Sequence, residues 1–382
     1  MNGSIRQRSK GTWQLRYDAP PDGTGKRRFI SETVKGNKKE AERVLRERLT
    51  SVENGSYVAK NKETVAEFMQ QWMESYAATN TTLRTQRGYW GNLARYIIPS
   101  IGSIPLQKLA ARHIQETYAN MMARGLSART ALHVHRLLRK ALADAVKWGN
   151  LSRNMADATT PPKAEQKQID MWDAETIDRF LEAADGSRFR DLYRLAVLTG
   201  MRRSELAGLK WANVDMVNGR LSVVSTLQRI PGHGLVEGLP KTNRSRRSIS
   251  LRADAVEVLH GVRGRQIEDK LAIGELWLDT NYVFTRANGR PVEPDKVSLD
   301  FAIIVRKAGL PHLTLHGLRH AHATLALSAG VNPKVVSERL GHASTAITMD
   351  VYSHVLPGIQ EEAAQAVEDL LSQARHKRLG TN

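Results

Sequence analysis

A proline-containing polar stretch near the middle of the chain constrains its fold more than any other feature. Residues 159–168 begin Thr-Thr-Pro-Pro-Lys and continue with polar side chains, and consecutive prolines interrupt both helices and central strands. The 382 residues also exceed one typical domain, so two to three folded units are expected. The sequence therefore predicts separately folded units joined by a linker at this stretch.

The charge balance predicts a polyanionic partner. The chain carries 57 Lys and Arg against 39 Asp and Glu, a formal net charge of +18, and the basic residues are spread through every segment. Nucleic acid is favoured over an anionic membrane or a merely soluble basic protein, because such an excess drives binding through counterion release.

Composition excludes several other classes of protein. No segment approaches the roughly 18–20 apolar residues of a membrane span, and the polar, basic first ten residues do not form a secretory signal. The absence of cysteine excludes disulfides, thiolate zinc sites and cysteine nucleophiles. A cytoplasmic location without a membrane partner is therefore expected.

The first 60 residues are predicted to form a small sheet-and-helix module. Alternation at 11–17 predicts a strand that pairs with 26–31 across a Pro-Pro-Asp-Gly turn, and a helix is predicted at 37–52. A basic module of this kind suits contact with DNA, and a scaffold with a solvated basic face is the alternative. The residues predicted to contact DNA here are Arg16, Lys26, Arg27 and Arg28.

Residues 61–162 are predicted to be mostly helical. Thr64 and Ser127 are expected to cap helices, and the second of these helices runs to Trp148. Further helices are predicted at 89–98, closed by Pro99 and Gly102, and at 113–124. The exposed face of the helix that runs from Ser127 to Trp148 is predicted to contact DNA through Arg136, Arg139 and Lys140.

Residues 163–358 are predicted to mix helices with strands. A strand pair is expected at 220–230 and 246–251, with Lys241 near the turn between them. The predicted helices cover 173–184, 188–199, 203–209, 252–266, 295–308, 314–329, 332–340 and 345–355. The tail, 359–382, has apolar residues at helical spacing, and this stripe must pack either on its own domain or on another protomer.

Six polar side chains follow one another in this last part in an order that suits phosphoryl transfer. They are Arg202, Lys241, His316, Arg319, His342 and Tyr352. Transfer without a metal needs positive donors around the non-bridging oxygens, an in-line nucleophile and a proton source for the leaving alkoxide. Guanidinium forks pair with phosphate oxygens, and a phenol attacks when its developing charge is stabilised. Tyr352 is therefore the predicted nucleophile, and Arg202 and Arg319 are the predicted phosphate ligands.

The remaining members of the set suit proton transfer and phosphate contact. The charged form of a lysine surrounded by cations is disfavoured, which makes Lys241 a better proton donor to a leaving oxygen. His316 suits either a bond to a phosphate oxygen or acceptance of the proton of Tyr352, and His342 suits donation to a phosphate oxygen. In the loop around the lysine, Arg244 and Arg246 are expected to hold backbone phosphates.

The local contexts of these residues closely resemble the catalytic set of the tyrosine recombinases, the family of phage integrases. The matching stretches are Thr-Gly-Met-Arg-Arg-Ser-Glu at 199–205, Pro-Lys-Thr at 240–242, His-Gly-Leu-Arg at 316–319, Leu-Gly-His at 340–342 and Val-Tyr-Ser-His at 351–354. The resemblance implies a mainly α fold with small β-sheets in several domains. These are an N-terminal arm-type DNA-binding domain at 1–60, a helical core-binding, SAM-like domain at 61–162, a mixed α+β catalytic domain at 163–358 and a protomer-contacting tail at 359–382.

The resemblance also implies an activity. A site-specific recombinase of this kind cleaves double-stranded DNA through a 3′-phosphotyrosyl link and rejoins it, which integrates or excises a mobile element or prophage. It uses no cofactor, works in the bacterial cytosol or nucleoid, and assembles as four protomers on core and arm attachment sites. The resemblance assigns Lys241 as the general acid and Glu205 as a supporting residue that orients the basic groups. Whether a directionality factor or a host DNA-bending protein takes part is left open.

Three alternatives remain. A type IB topoisomerase-like enzyme shares the covalent chemistry but rejoins the same strand, and a catalytically silent DNA-binding regulator has no need of the nucleophile. Histidines at helical spacing also raise the question of a metal site, which is disfavoured because the chain has no cysteine and the stretch offers no compelling carboxylate ligand. These histidines are His312, His316, His320 and His322.

Overall fold

The chain folds into two compact units, residues 1–167 and 168–382, and the boundary lies inside the proline-containing stretch. The structure is a computed structural model that describes residues 3–18, 28–54, 57–165, 171–240, 246–342, 344–352, 365 and 367–375, without the side chains of 347 and 350–352. Within the described residues no helix is long and apolar enough to cross a membrane. The finer division into three domains and a tail stays a prediction.

The first unit combines one sheet with a helical domain. Its strands are β1 (Gly3–Ser9), β2 (Thr12–Asp18) and β3 (Phe29–Lys35). Its α-helices are α1 (Lys38–Glu53), α2 (Val65–Trp72), α3 (Ala78–Asn80), α4 (Leu83–Asn92), α5 (Ile98–Ile101), α6 (Ala111–Ala123) and α7 (Ala128–Lys147).

The N-terminal sheet is antiparallel, with β2 between β1 and β3. One face packs on α1, where Leu15 and Tyr17 meet Ala41 and Leu45 in a small core. The predicted strand at 11–17 and helix at 37–52 are confirmed. Sequence patterning missed β1, because Ile5 is its one apolar position and a single inward residue gives no readable alternation. The second predicted strand is displaced to β3, and part of the predicted segment, 26–27, lies outside the described residues.

Two helices of the helical domain begin at the caps predicted for them. Thr64 and Glu67 form a reciprocal capping box at α2, and the Ser127 hydroxyl accepts from the backbone N–H of Thr130 at α7. Deeper in this domain the indole N–H of Trp72 donates to Asp144 at 2.8 Å. Both residues are buried, so this bond ties α2 to α7 inside the core.

Of the two residues predicted to close the helix at 89–98, Gly102 does so as the C-cap of α5, and the prediction for Pro99 is wrong. Residues 93–97 are π-helical, and α5 continues the helix through Pro99. Proline lacks an N–H, so it is tolerated in the first turn of a helix, where that donor has no intrahelical partner. The π-helical turn restarts the bonding pattern just before Pro99 and places it in such a first turn.

The second unit carries the larger core. Its α-helices are α8 (Ala174–Ala183), α9 (Arg190–Thr199), α10 (Arg203–Ala207), α11 (Ala253–Ile273), α12 (Pro294–Lys307), α13 (Leu315–Ser328), α14 (Pro333–Leu340) and α15 (Thr345–Tyr352). Its strands are β4 (Val214–Asp215), β5 (Arg220–Val223), β6 (Thr226–Ile230), β7 (Gly234–Gly238) and β8 (Arg247–Ser250). An aromatic cluster of Trp172, Phe180, Tyr193 and Phe301 joins α8, α9 and α12 at its centre.

The predicted strand at 220–230 is two strands that belong to different sheets. β5 pairs with β4 and β8, whereas the chain turns after β6 and forms β7, which pairs with β6. Ser225 lies between them, and its hydroxyl donates to the carbonyl of Gly208 at 2.7 Å. This anchor breaks the run of extended residues, a tertiary effect that the local pattern does not contain. Lys241 therefore follows β7 rather than the turn of a single hairpin.

Candidate active site

Two left-handed glycines end the helices that border the site. Gly200 ends α9 with φ +63°, and Gly341 ends α14 with φ +67°, a conformation that glycine adopts without strain. A Cβ added at Gly200 would lie 2.7 Å from side-chain atoms of both His322 and Leu340. The two turns thus approach each other closely, and they lead directly into Arg202 and His342.

Arg319 on α13 ties these turns together. Arg319 is only 3% exposed. Its guanidinium group donates to the carbonyls of Gly200 and Leu340, both at 2.7 Å. A planar fork with a permanent charge can serve two acceptors from fixed directions. One buried side chain therefore fixes the spacing of the two segments that carry the other candidate residues.

Arg202 is the more accessible of the two arginines. It lies at the N-terminus of α10, and its Nη2 donates to the carbonyl of Gly341 at 3.0 Å. Its Nη1 donates to Glu205 Oε1 at 2.7 Å, and its backbone N–H donates to Glu205 Oε2 at 2.9 Å. The side chain stays 33% exposed, so it presents positive charge at the surface of the site.

Glu205 lies between two arginines, and the second one is Arg247. The Glu205 side chain is 1% exposed, and Arg247 donates to its Oε2 at 2.9 Å. Burial opposes the charged carboxylate, but the bonds from Arg247 and Arg202 outweigh it and hold the pKa of Glu205 below its usual range. The supporting position that the sequence assigned to Glu205 thus corresponds to a real contact with Arg202.

Sequence analysis did not assign Arg247 to the site, although a signal was present. β8 reads Arg-Ser-Ile-Ser, so Arg247 has the same strand phase as Ile249, which is buried. An arginine in phase with a core residue points inward and needs a buried acceptor. Arg246, the neighbour that was assigned instead, is exposed.

The histidines of α13 lie beside these cations. The rings of His316 and His320 meet edge to face with centroids 5.0 Å apart. Surrounding protein atoms, then the charges of His320, Arg319 and Arg202, lower the pKa of His316 to about 4, although the residue itself is solvent-exposed. The exposure reduces the desolvation effect, so the neighbouring cations are the firmer cause. His316 is thus neutral at pH 7.

His342 and His322 occupy two further positions around the turns. His342 Nδ1 lies 2.8 Å from the hydroxyl of Thr348, and burial followed by the charges of Arg319 and Arg202 lowers its pKa to about 4. His322 bonds the carbonyl of Val197 through Nδ1 and accepts from Arg339 through Nε2. Its pKa is also lowered to about 4, first by burial. His322 is therefore packed between helices and is bonded on both ring nitrogens.

Part of the predicted set cannot be placed. Lys241 and Arg244 lie outside the described residues, as do Lys26 and Arg27 of the N-terminal module. Tyr352 is the last residue of α15, and its side chain is not described. The structure thus brings together Arg202, Glu205, Arg247, His316, Arg319 and His342 in one unit. The roles of Lys241 and Tyr352 stay predictions.

Comparison with known proteins identifies this arrangement. Residues 170–358 match the Phage integrase family, and residues 64–122 match the N-terminal SAM-like domain of phage integrases. The chain is 29% identical over 351 residues to a "Tyrosine recombinase XerC-like" of Caldanaerobacter subterraneus subsp. tengcongensis, which covers 87% of this chain and 90% of the relative. The chain belongs to the phage integrase family of tyrosine recombinases. It is therefore an enzyme that cleaves and rejoins DNA.

Solved structures share the fold of this recombinase. The Tn1549 transposon integrase, in complex with a circular intermediate DNA, superimposes with a TM-score of 0.68 at 21% identity and covers 81% of this chain and 99% of its own. A λ integrase tetramer bound to a Holliday junction gives 0.59 at 18% identity and covers 91% and 94%. At this identity the match shows the fold.

The basic residues predicted for DNA contact differ in how free their charges are. Arg139 pairs with Asp157 at 2.7 Å, and Lys140 bonds both oxygens of Asp144 at 2.8 Å. Arg136 is exposed on the same helix. In the N-terminal module, Arg16 lies on the exposed face of the sheet and stacks over Phe29 at 4.4 Å, and Arg28 is exposed beside it. Two of the basic residues predicted to bind DNA, Arg139 and Lys140, are thus paired with acidic side chains of the protein itself. The DNA contacts stay predictions.

The described part of the recombinase holds no group of three or more His, Asp or Glu side chains arranged to bind a metal ion. His316 and His320 approach each other, but His322 bonds a backbone carbonyl and an arginine. The histidine spacing seen in the sequence is therefore accounted for by these contacts.

Proposed function

We propose that this recombinase is a site-specific integrase that uses Tyr352 to exchange strands between two DNA duplexes. The Tyr352 oxygen attacks the scissile phosphorus, the bond to the 5′ oxygen breaks, and Lys241 gives that oxygen its proton. A 3′-phosphotyrosyl link and a free 5′ hydroxyl result. The 5′ hydroxyl of a second duplex then attacks the link, returns a proton and releases the phenol, so phosphodiester bonds are conserved without a metal or nucleotide.

The observation that carries this proposal is the shared anchoring of Arg202 and Arg319. Arg319 bonds both turns, at Gly200 and at Leu340, and Arg202 bonds the second of them at Gly341. Donors that are fixed before the substrate arrives need no reorganisation when charge develops on the phosphorane. The proposal assigns them to the non-bridging oxygens of the scissile phosphate, from two directions.

The low pKa values of the histidines support distinct roles for neutral imidazoles. At pH 7 His316 is neutral, so it is able to accept the proton that Tyr352 must lose. His342 is also neutral and is able to donate one N–H to a phosphate oxygen. Phosphate binding would raise the pKa of both rings, because an anion then faces them.

Trapping of the covalent intermediate tests the reaction. A nicked DNA substrate that loses its 5′ end after cleavage should leave a protein–DNA adduct that survives denaturing electrophoresis. Tyr352→Phe should abolish the adduct and keep DNA binding. Tyr282→Phe is the matched control, because Tyr282 is in the same unit and bonds Glu237 away from the turns. An adduct with Tyr352→Phe would overturn the assignment, and failure to join two duplexes would indicate religation of one strand instead.

The N-terminal module is proposed to bind arm-type DNA sites through the exposed face of its sheet. This face carries Arg6, Gln14 and Arg16, whose register pairs run Arg6 to Gln14 and Arg16 to Ser31. The opposite face is covered by α1, so this face is the one proposed to approach a groove.

Truncation separates this role from catalysis. Removal of residues 1–60 should impair recombination between substrates with distant arm sites more than cleavage of a core site. Arg16→Gln should reproduce part of the loss. Arg43→Gln on α1 is its control, because Arg43 pairs with Glu40 and Glu47. An equal loss of both activities would contradict arm binding.

Four protomers on DNA are the proposed assembly, with the tail as a contact between them. Val367, Leu370 and Leu371 of the described tail are 55–66% exposed, which is unusual for a helical apolar stripe. A groove of about 430 Å³ between α12 and the segment after it is lined by apolar side chains with Arg306 and His312. Glu368 and Asp369 of the tail complement those basic groups, so the groove of a second protomer is the proposed acceptor.

Two variants test the contact from opposite sides. Deletion of residues 359–382 and the substitution Leu299→Glu in the groove should each weaken assembly on a core-site DNA, as measured by native electrophoresis with light scattering. Their combination should weaken it no further, because both remove one contact. An unchanged assembly after the deletion would show that the tail packs on its own protomer.

A further inference from the structure

Arg247 makes a set of contacts that no phosphate-binding role explains. Its side chain is 6% exposed. Its Nη2 and Nη1 donate to the two oxygens of Glu205 at 2.9 and 3.3 Å, and its Nε donates to the carbonyl of Arg339 at 2.6 Å. Buried donors with protein acceptors on both sides hold parts of a structure together. In Arg247 all three guanidinium nitrogens are bonded in this way.

The two acceptors of Arg247 belong to the two segments that form the site. Glu205 bonds both the guanidinium and the backbone N–H of Arg202. Arg339 directly precedes Leu340 and Gly341, whose carbonyls receive the bonds of Arg319 and Arg202. Arg247 thus reaches both segments from a third element, β8.

We propose that Arg247 is a positioning residue for strand cleavage: it fixes Glu205, through which it sets the orientation of Arg202, and it holds the turn that leads to His342. This inference rests on the proposed function.

Loss of Arg247 has a specific electrostatic consequence. The charged groups around the Glu205 carboxylate are Arg202 and Arg247, with His316 at longer range. Without Arg247, burial acts on a carboxylate that keeps one adjacent cation, so its pKa rises. Protonation of Glu205 then weakens the two bonds it accepts from Arg202, one from Nη1 and one from the backbone N–H. This weakening becomes more complete as the pH falls.

The first test is the single-turnover cleavage rate of a suicide core-site DNA at saturating protein. Arg247→Met should lower the rate constant by roughly 100-fold, the effect of a small misplacement of reacting groups, without a change in DNA affinity. Arg247→Lys should recover part of the rate. Arg220→Met is the matched control, since Arg220 is exposed on the neighbouring strand β5 and removes the same charge. A residue needed merely for folding would lower the amplitude of the reaction and not its rate constant.

The second test is a double-mutant cycle with Glu205→Gln. In that background Arg247→Met should cost less rate than it costs in the parent, because the ionised carboxylate is already gone and the bond to the carbonyl of Arg339 is the contact left to lose. With Glu205 intact, Arg247→Met should give a rate that declines as pH falls from 8 to 5, relative to the parent. Independent losses of rate, or a pH profile unchanged by Arg247→Met, would overturn the inference.

Failure of the proposed function is distinguishable from failure of this inference. A parent protein that forms no adduct contradicts the function, and thermal unfolding then decides the inference. The midpoint loss caused by Arg247→Met should grow as pH rises from 5 to 8, because an ionised Glu205 becomes harder to bury, and this growth should vanish in the Glu205→Gln background. If Arg247→Met does not fold, two other variants replace it in both tests. They are Arg247→Lys and the combination of Arg247→Met with Glu205→Gln, which buries no unpaired charge. A pH-independent loss in each would contradict the pairing.

Discussion

Substitution of Gly200 by alanine separates backbone strain from crowding at the centre of the site. Gly200 has φ +63°, and an added Cβ would lie 2.7 Å from His322 Cδ2 and from Leu340 Cδ2. Gly309, which follows α12 in the same unit, has the same φ of +63° and no atom within 4 Å of an added Cβ. The two glycines thus share the strain and differ in the crowding.

The magnitudes follow from these two effects. A left-handed conformation costs an alanine about 1–2 kcal/mol, so Gly309→Ala should lower the free energy of unfolding by about that amount. Gly200→Ala adds the cost of forcing a methyl group against packed side chains, about 1–3 kcal/mol. We therefore expect a total loss of about 2–5 kcal/mol for Gly200→Ala, larger than the loss for its control.

Hydrogen exchange with mass spectrometry, followed against denaturant, measures the two losses in the full-length chain. Peptides from α9 and α13 report the unfolding of the second unit separately from the first. Cleavage should also fall in Gly200→Ala, because the Gly200 carbonyl accepts from Arg319. Equal losses of stability in both variants would refute the reasoning, since they would show that His322 and Leu340 move aside at no cost.

Three further predictions concern single side chains. Arg319→Lys removes the planar fork that donates to the carbonyls of Gly200 and Leu340, so the free energy of unfolding should fall by about 1.5–3 kcal/mol. Denaturant titration measures this loss, and adduct formation should slow as well. His316, His322 and His342 have pKa values lowered to about 4, below the unfolded value, so stability should be fully present above about pH 6.5 and decline toward pH 4. Thermal midpoints across that range should fall less steeply in His322→Asn, and an identical slope would contradict the assignment. Asp144→Ala leaves the buried Trp72 N–H and Lys140 without their acceptor and should cost about 2–4 kcal/mol, whereas Asp157→Ala, which breaks an exposed pair with Arg139, should cost about 0–1 kcal/mol by the same titration.

Local signals in the sequence were sufficient for most helices. The caps at Thr64 and Ser127 were predictable because a capping residue acts within three residues of its partner. The break between β5 and β6 was not predictable, since it depends on a bond from Ser225 to Gly208, seventeen residues earlier. The continuation through Pro99 was missed for the related reason that a π-helical turn leaves no simple mark in composition.

The site followed the same division. Short motifs were enough to single out Arg202, Arg319 and His342, because each motif includes the turn or helix that presents the side chain; their roles stay predictions. Arg247 was missed because its partners, Glu205 and Arg339, lie 42 and 92 residues away. Strand phase with Ile249 indicated that it points inward, but not what it meets there.

The fixed charges of the site act both on its histidines and on the groups proposed to react there. Arg202 and Arg247 pair with one buried acid, Glu205, and Arg319 bonds the turn at Gly200. The described part of the site therefore has an excess of fixed positive charge. Burial lowers the pKa of His316 and His342 first, and this potential lowers it further. The same potential favours an incoming phosphate and a developing phenolate, because both carry negative charge. A phenol of ordinary pKa near 10 becomes an effective nucleophile only in such a field. The fixed cations therefore contribute both to the depressed pKa values of these histidines and to the proposed activation of Tyr352.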